Sequence, residues 1–153
     1  MMLEPVVVHS SFVISLNQVV EESILKKLKH RELLITPETK TYIQKNEGSE
    51  LNRFVNDAIR SGYIQEVAVL YEVERQSEYK EIKRRCGASL ASGIVAAKQV
   101  AGVWGCTDNR VLRFKKKQFS EPPISISLET ILSEGLDKKH LTNQEYQKCI
   151  ALL

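Results

Sequence analysis

The sequence predicts an α/β fold, a three-layer α/β/α sandwich with a mostly parallel central sheet. Short β-branched runs alternate along the chain with longer amphipathic segments, as in folds built from strand–helix–strand units. The runs at 6–8 and 103–107 are apolar on both faces, which is typical of strands inside a parallel sheet. The segment at 88–101 is small and apolar almost throughout, which indicates a buried helix.

The first half of the chain combines strand-like runs with helical periodicity. Apolar residues recur at helix spacing from Phe12 to Leu28 and predict one long helix. Thr36 and Pro37 fit the N-cap and the first position of a helix, and Gly62 suits the end of another. In order, the predicted elements are a strand at 5–8, a helix at 12–28, a strand at 33–35, a helix from Thr36 to a break at 47–49, a helix ending at Gly62 and a strand within 63–70.

The second half contains one strongly charged and one almost uncharged helical segment. Thr142 and Glu145 fit a capping box at the start of the last helix, and Gly102 ends the apolar segment. In order, the predicted elements are an exposed helix at 72–85, the buried helix at 88–101, a central strand at 103–107, a short basic helix at 111–117, an edge strand including Ile124 and Ile126, a helix from Ser127 to Gly135 and a helix after Thr142.

Composition favours a globular protein of one domain. The chain has 153 residues, of which 42% are hydrophobic and 27% charged. We expect a single domain over 1–153, with a core at about 5–117 and a strand-and-helix extension over 118–153. No apolar run approaches a membrane span, so we expect no membrane partner. The three cysteines form no C-x-x-C pair, and the reducing cytoplasm is the expected location.

Polar residues follow two of the predicted strands at the point where each strand ends. Residues 9–11 follow the first strand, and residues 107–110 follow the strand that contains Trp104. Parallel sheets bind ligands beyond the carboxyl ends of their strands, so His9 and Asp108 face one cleft if these strands are neighbours. A purely local role is equally open, in which Ser10, Ser11 and Asp108 only cap the helices that follow.

Two other kinds of site are disfavoured. A Ser–His nucleophile pair would require Ser10 and His9 to hydrogen-bond, but adjacent residues of an extended strand point to opposite faces. No G-x-G-x-x-G motif follows the first strand, which argues against a dinucleotide-binding domain.

Five short stretches stand in a definite order along the chain. They are VHSSFVI at 8–14, LLITP at 33–37, AIRSGYI at 58–64, the Ala-rich GASLASGIVAAK at 87–98 and TDNR at 107–110. Their order and spacing resemble the PIN domain of prokaryotic toxin-type nucleases. In that family the first strand ends in Asp or Asn followed by Thr or Ser and then Ser, and a later strand ends in Thr-Asp-Asp-Arg or similar. The resemblance covers residues 5 to about 117.

The resemblance implies metal-dependent phosphodiester hydrolysis, but the acids that it requires are largely replaced. Active members hold Mg²⁺ or Mn²⁺ with three or four carboxylates. Here His9 takes the first acidic position, residues 42–44 contain no acid, and Leu90 takes the position of the acid that opens the buried helix. Asp108 remains, with Asn109 where a second acid often stands. We therefore expect Mg²⁺ or Mn²⁺ to bind weakly or not at all; any surviving catalysis would use Asp108, as the metal ligand, and His9.

Basic residues flank the predicted cleft. The net charge of +3 permits a nucleic-acid partner without requiring one. The alternative is that these side chains are solvated helix ends. The candidate contacts to a phosphate backbone of RNA or DNA are Ser10, Ser11, Asn109, Arg110, Arg113, Lys83, Arg84 and Arg85.

Three functions follow from the resemblance. The first is a PIN-like protein that keeps the fold and binds RNA or DNA but has lost most or all nuclease activity. The second is an active endoribonuclease with a rearranged metal site using Asp108, acting as the toxin of a toxin–antitoxin pair. The third is a non-enzymatic interaction module. Toxin-type PIN proteins commonly dimerise and bind an antitoxin, so the implied protein partners are a second copy of the chain and an antitoxin-like protein.

Overall fold

A parallel sheet of five strands forms the centre of the computed structural model, which describes residues 3–70, 72–118 and 123–153. All four strand pairs are parallel, so the predicted α/β class and parallel sheet are confirmed. The strand order is β3-β2-β1-β4-β5. The strands are β1 (Val6–Val8), β2 (Leu33–Ile35), β3 (Ile64–Glu66), β4 (Val103–Gly105) and β5 (Ser125–Ile126).

Helices connect the strands and cover both faces of the sheet. Within the described residues there are nine: α1 (Ser10–Val19), α2 (Glu22–Leu25), α3 (Pro37–Asn46), α4 (Ser49–Arg60), α5 (Val73–Cys86), α6 (Ala88–Gln99), α7 (Asn109–Gln118), α8 (Leu128–Asp137) and α9 (Asn143–Ala151). None of these helices is long and apolar enough to cross a membrane.

Two apolar clusters lie on opposite faces of the sheet, because alternate residues of a strand point to opposite sides. Val6 and Val8 pack with α1, α2, α4, α8 and α9 on one face. Val7 and Trp104 pack with α5 and α6 on the other, together with the start of α7. The three predicted layers are therefore present.

Several local predictions hold in detail. Thr36 caps α3 with Pro37 in its first turn, and Thr142 with Glu145 forms the capping box of α9. Gly62 has a φ of +81°, a conformation that suits glycine after a helix. β5 lies at the edge of the sheet, as Ile126 and its neighbours predict.

Two predicted elements differ from the structure by more than two residues. The single helix expected over 12–28 is broken, because Val20 adopts extended dihedral angles between α1 and α2. Val19, Val20 and Ile24 are nevertheless all buried in one cluster, so the periodic burial continues across the break. The strand expected within 63–70 is only three residues long, and the chain leaves the sheet after Glu66.

Candidate functional site

A cleft of about 390 Å³ opens beyond the carboxyl ends of β1 and β4. β1 and β4 are neighbours in the sheet. From β1 the chain adds β2 and then β3 on one side, and it afterwards adds β4 and then β5 on the other side. Such a switch point is the usual ligand site of a parallel α/β sheet. The structure brings His9, Ser10, Ser11 and Asp108 together as lining residues of this cleft.

His9 caps α1 and lies partly buried at the end of β1. Its Nδ1 accepts the backbone N–H of Ser11 at 3.1 Å and lies 2.8 Å from Ser11 Oγ. Because Nδ1 accepts a backbone N–H, it carries no proton, and the hydroxyl of Ser11 donates to it. Burial lowers the pKa of His9 to about 4 against the opposing charge of Asp108, so the ring is neutral at pH 7.

Ser11 ties the ends of β1 and β4 together. Its Oγ accepts the backbone N–H of Thr107 at 3.1 Å and lies 3.5 Å from the thiol of Cys106. The Ser–His contact that the sequence disfavours for Ser10 is thus made by Ser11, because α1 begins at Ser10 and turns Ser11 back over His9. Within the described residues no hydrogen bond joins His9 to Asp108, so these groups do not form a catalytic triad.

Asp108 caps α7 and points a partly exposed carboxylate at the cleft. Its Oδ1 accepts the backbone N–H of Arg110 at 2.9 Å, and 30% of its side chain is exposed. Burial raises the pKa of Asp108, but the backbone N–H groups of Arg110 and Val111 and the Arg110 guanidinium outweigh burial and lower it. The capping role predicted for Asp108 is correct. The same role is wrong for Ser10 and Ser11, which lie in the first turn of α1 below the His9 cap.

The cleft lining also includes Leu90, Tyr42 and Glu47, of which only Glu47 lies at a position that the sequence does not single out. Leu90 comes from the first turn of α6, while Tyr42 and Glu47 come from α3 and its end. Neither Tyr42 nor Glu47 belongs to a motif, and only the packing of α3 on α6 brings them to this place. Glu47 and Asp108 are the two residues of the lining that carry carboxylates.

The side chains of the cleft do not fit the Mg²⁺ or Mn²⁺ that the sequence resemblance implies. Among the described residues, no three His, Cys, Asp or Glu side chains are grouped so that they could hold a metal ion. His9 Nδ1 and Asp108 Oδ1 already accept backbone N–H groups, and imidazole is a poor partner for these hard cations.

The start of a helix also lies in the cleft. Gly87, Ala88 and Ser89 at the start of α6 line it, and Gly87 has no side chain with which to cap that helix. The first N–H groups of a helix carry partial positive charge and bind phosphates well. Ser10 is only 7% exposed, and its hydroxyl has no hydrogen-bond partner among the described residues.

The predicted basic residues surround the cleft rather than line it. Lys83, Arg84 and Arg85 lie in the exposed last turn of α5, and both arginines contact Glu81, at 2.9 and 2.8 Å. On α7, Asn109, Arg110 and Arg113 are exposed, and the Arg110 guanidinium lies 3.7 Å from Asp108 with 88% of its side chain in solvent. We call these cations the rim, because they are exposed and lie within three residues in the chain of residues that line the cleft.

A separate groove of about 550 Å³ lies between the α1–α2 region and α4. Apolar side chains, among them Phe54 and Tyr63, line it together with the carboxylates of Glu21, Glu22 and Asp57. It shares no lining residue with the cleft.

No protein-family profile matches the sequence, and no curated protein is significantly similar to it.

Proposed function

We propose that this chain is a PIN-like domain protein that binds RNA or DNA in the cleft and has lost most or all nuclease activity. One observation carries the proposal. The resemblance aligns the acids of the family with His9, with residues 42–44, with Leu90 and with Asp108. His9, Tyr42, Leu90 and Asp108 all line the one cleft at the switch point of the sheet. Convergence of four positions from distant parts of the chain is what a PIN-like fold would produce.

The loss of hydrolysis follows from the charges at those positions. Three of the four side chains are neutral at pH 7, since His9 has a pKa of about 4 and Tyr42 and Leu90 carry no charge. Two divalent ions require several carboxylates to offset their charge, and Asp108 supplies one. The aligned positions that would activate water in a family nuclease therefore have little metal-binding capacity.

Binding of nucleic acid is supported by the uncapped start of α6 and by the rim cations. A phosphate in the cleft would contact helix N–H groups, while neighbouring phosphates would meet Arg110, Arg113 and Lys83 outside it. Side chains that neutralise phosphates release counterions, so this kind of binding weakens as salt rises.

The test is the affinity for a labelled single-stranded oligonucleotide, measured by fluorescence anisotropy. We expect affinity to fall about tenfold or more between 50 and 200 mM salt, and Arg110→Ala to weaken binding and flatten the salt dependence. Arg60→Ala is the matched control, because Arg60 is 79% exposed beside Asp57 and borders the separate groove. Binding that ignores salt, or an equal loss in both variants, would contradict phosphate contact at this rim.

Glu47 favours a second candidate, the active endoribonuclease. Its carboxylate shares the cleft with that of Asp108, which gives two acids where the aligned positions give one. This function predicts Mn²⁺-dependent cleavage of RNA that both Asp108→Ala and Glu47→Ala abolish. The main proposal predicts no such cleavage, and equal residual activity in wild type and variants would identify a contaminating nuclease.

The separate groove favours a third candidate, the interaction module. Its lining combines apolar side chains with Glu22 and with Glu21 and Asp57, which pair with Lys148 and Arg60. Such a mixed apolar and charged surface suits a protein partner. Self-association is tested by size-exclusion chromatography with light scattering, where a strict monomer at all concentrations would contradict the homodimer.

A further inference from the structure

Tyr42 is an aromatic side chain on the wall of the cleft. It projects from α3, lines the cleft and remains 42% exposed. Tyrosine is intermediate in burial, and proteins that bind single-stranded nucleic acid stack successive bases on aromatic side chains.

The lining of the cleft that contains Tyr42 also includes apolar side chains and polar groups that can bind an anion. Ile14, Leu90 and Val111 are partly buried lining residues that offer apolar surface. The start of α6 offers uncapped N–H groups, and Ser10 offers a hydroxyl with no partner among the described residues although the residue is 93% buried, being 7% exposed. Apolar surface, an aromatic ring and an anion site together match the parts of a nucleotide.

We propose that the cleft is a metal-independent nucleotide-binding site, in which Tyr42 stacks on the base and the start of α6 with Ser10 holds the phosphate. The inference rests on the proposed binding of nucleic acid and names the unit that is recognised. A volume of about 390 Å³ lies within the roughly 300–1,000 Å³ typical of small-ligand sites.

The two carboxylates of the cleft are compatible with this assignment. Asp108 is satisfied by the backbone N–H of Arg110 and lies near its guanidinium, which reduces its repulsion of a phosphate. Glu47 also lines the cleft, and its carboxylate can accept the N–H donors that base edges present.

The nucleotide can be free or part of a single strand. Because Arg110, Arg113 and the α5 cations lie on the rim and do not line the cleft, they would contact only phosphates on either side of the bound unit. We therefore expect a single strand to bind more tightly than a nucleoside monophosphate.

The test uses a single-stranded oligonucleotide with one central 2-aminopurine, and adenosine monophosphate, both in EDTA. We expect binding of the strand to quench the 2-aminopurine fluorescence, which reports stacking. Tyr42→Ala should remove the quenching and weaken affinity about fivefold or more, while Tyr42→Phe should preserve both. Ser10→Ala should weaken affinity without changing the quenching. Thr41→Ala is the control, since Thr41 is exposed on the same helix and does not line the cleft.

Each outcome has a defined meaning. Tight strand binding that Tyr42→Ala leaves unchanged would overturn the nucleotide site and leave the proposed function standing. Absence of binding to any oligonucleotide would overturn both. Binding that disappears in EDTA would overturn metal independence. If adenosine monophosphate binds and Tyr42→Ala weakens its binding, the site is supported and a free nucleotide is sufficient for recognition. If only the strand binds, with the same dependence on Tyr42, the site is supported and recognises a nucleotide within a strand.

Discussion

His9 combines two roles at the end of β1, since it caps α1 and remains uncharged. Burial holds its pKa at about 4, whereas an unfolded histidine titrates near 6.5. Between these values the unfolded chain binds a proton that the folded chain does not. The free energy of unfolding should therefore be highest above pH 6.5 and fall by roughly 2–3 kcal/mol as pH drops toward 4.

The variant His9→Asn isolates this effect. Asparagine also caps helices well but does not titrate, so the decline between pH 6.5 and 4 should be smaller than in wild type. Urea unfolding at several pH values measures the difference. Burial also lowers the pKa of His30, but that contribution is common to both proteins. If the free energy of unfolding falls equally with pH in wild type and variant, His9 is not a buried neutral base in the folded protein.

For individual residues, the sequence predicts the location of the cleft better than it predicts the hydrogen bonds within it. Polar residues after two parallel strands predict one cleft, and His9 and Asp108 do line it. The hydrogen bond from Ser11 to His9 depends on the exact residue at which α1 begins, which no local pattern determines. Glu47 reaches the cleft through tertiary packing alone, so a single sequence carries no signal for it. Tyr42 is indicated only by the resemblance, which places a family acid at residues 42–44.

At the scale of elements, hydroxyl groups join the two helices that form the cleft wall. Thr36 Oγ1 lies 2.6 Å from Ser92 Oγ, and Thr39 Oγ1 lies 3.0 Å from Ser89 Oγ. These contacts hold α3, which carries Tyr42, against the start of α6. Removing a buried hydroxyl from such a pair costs about 1–2 kcal/mol, because its partner loses a hydrogen bond.

Thr39→Val is therefore expected to lower the free energy of unfolding by about 1–2 kcal/mol in urea titrations. Thr41→Val is the matched control, with the same change on the same helix at an exposed position, where we expect a much smaller effect. Equal losses in both variants would mean that the hydroxyl contacts between α3 and α6 add nothing to stability.

Capping residues and hydrophobic periodicity predict most of the helices and strands. They fail where tertiary packing determines where an element ends. Thr36 with Pro37, and Thr142 with Glu145, satisfy orphan N–H groups with their own side chains, and such capping is readable from sequence. The break after Val19 is invisible to periodicity, because α1 and α2 bury the same face in one cluster.

At the scale of the whole molecule, the residues after 123 belong to the same core as β1. Leu128, Leu132 and Cys149 are buried in the cluster that contains Val6, and β5 pairs with β4. Ion pairs of 2.7 Å join Arg31 to Glu134 and Lys27 to Glu145 across this boundary.

A chain ended after residue 118 should therefore lose its cooperative unfolding transition, because it exposes apolar surface on one face of the sheet. The full chain should unfold in one transition, as the predicted single domain requires. Circular dichroism during thermal unfolding measures both. A truncated chain that melts as sharply as the full chain, or two transitions in the full chain, would contradict one shared core.

The central claim is that the cleft at the ends of β1 and β4 binds nucleic acid without a metal ion. The most direct measurement is an amide chemical-shift titration with a single-stranded oligonucleotide in EDTA. We predict that the largest shifts cluster at residues 9–11, 87–90 and 108–110. Shifts confined to the separate groove between the α1–α2 region and α4, or no shifts until Mg²⁺ is added, would contradict the claim.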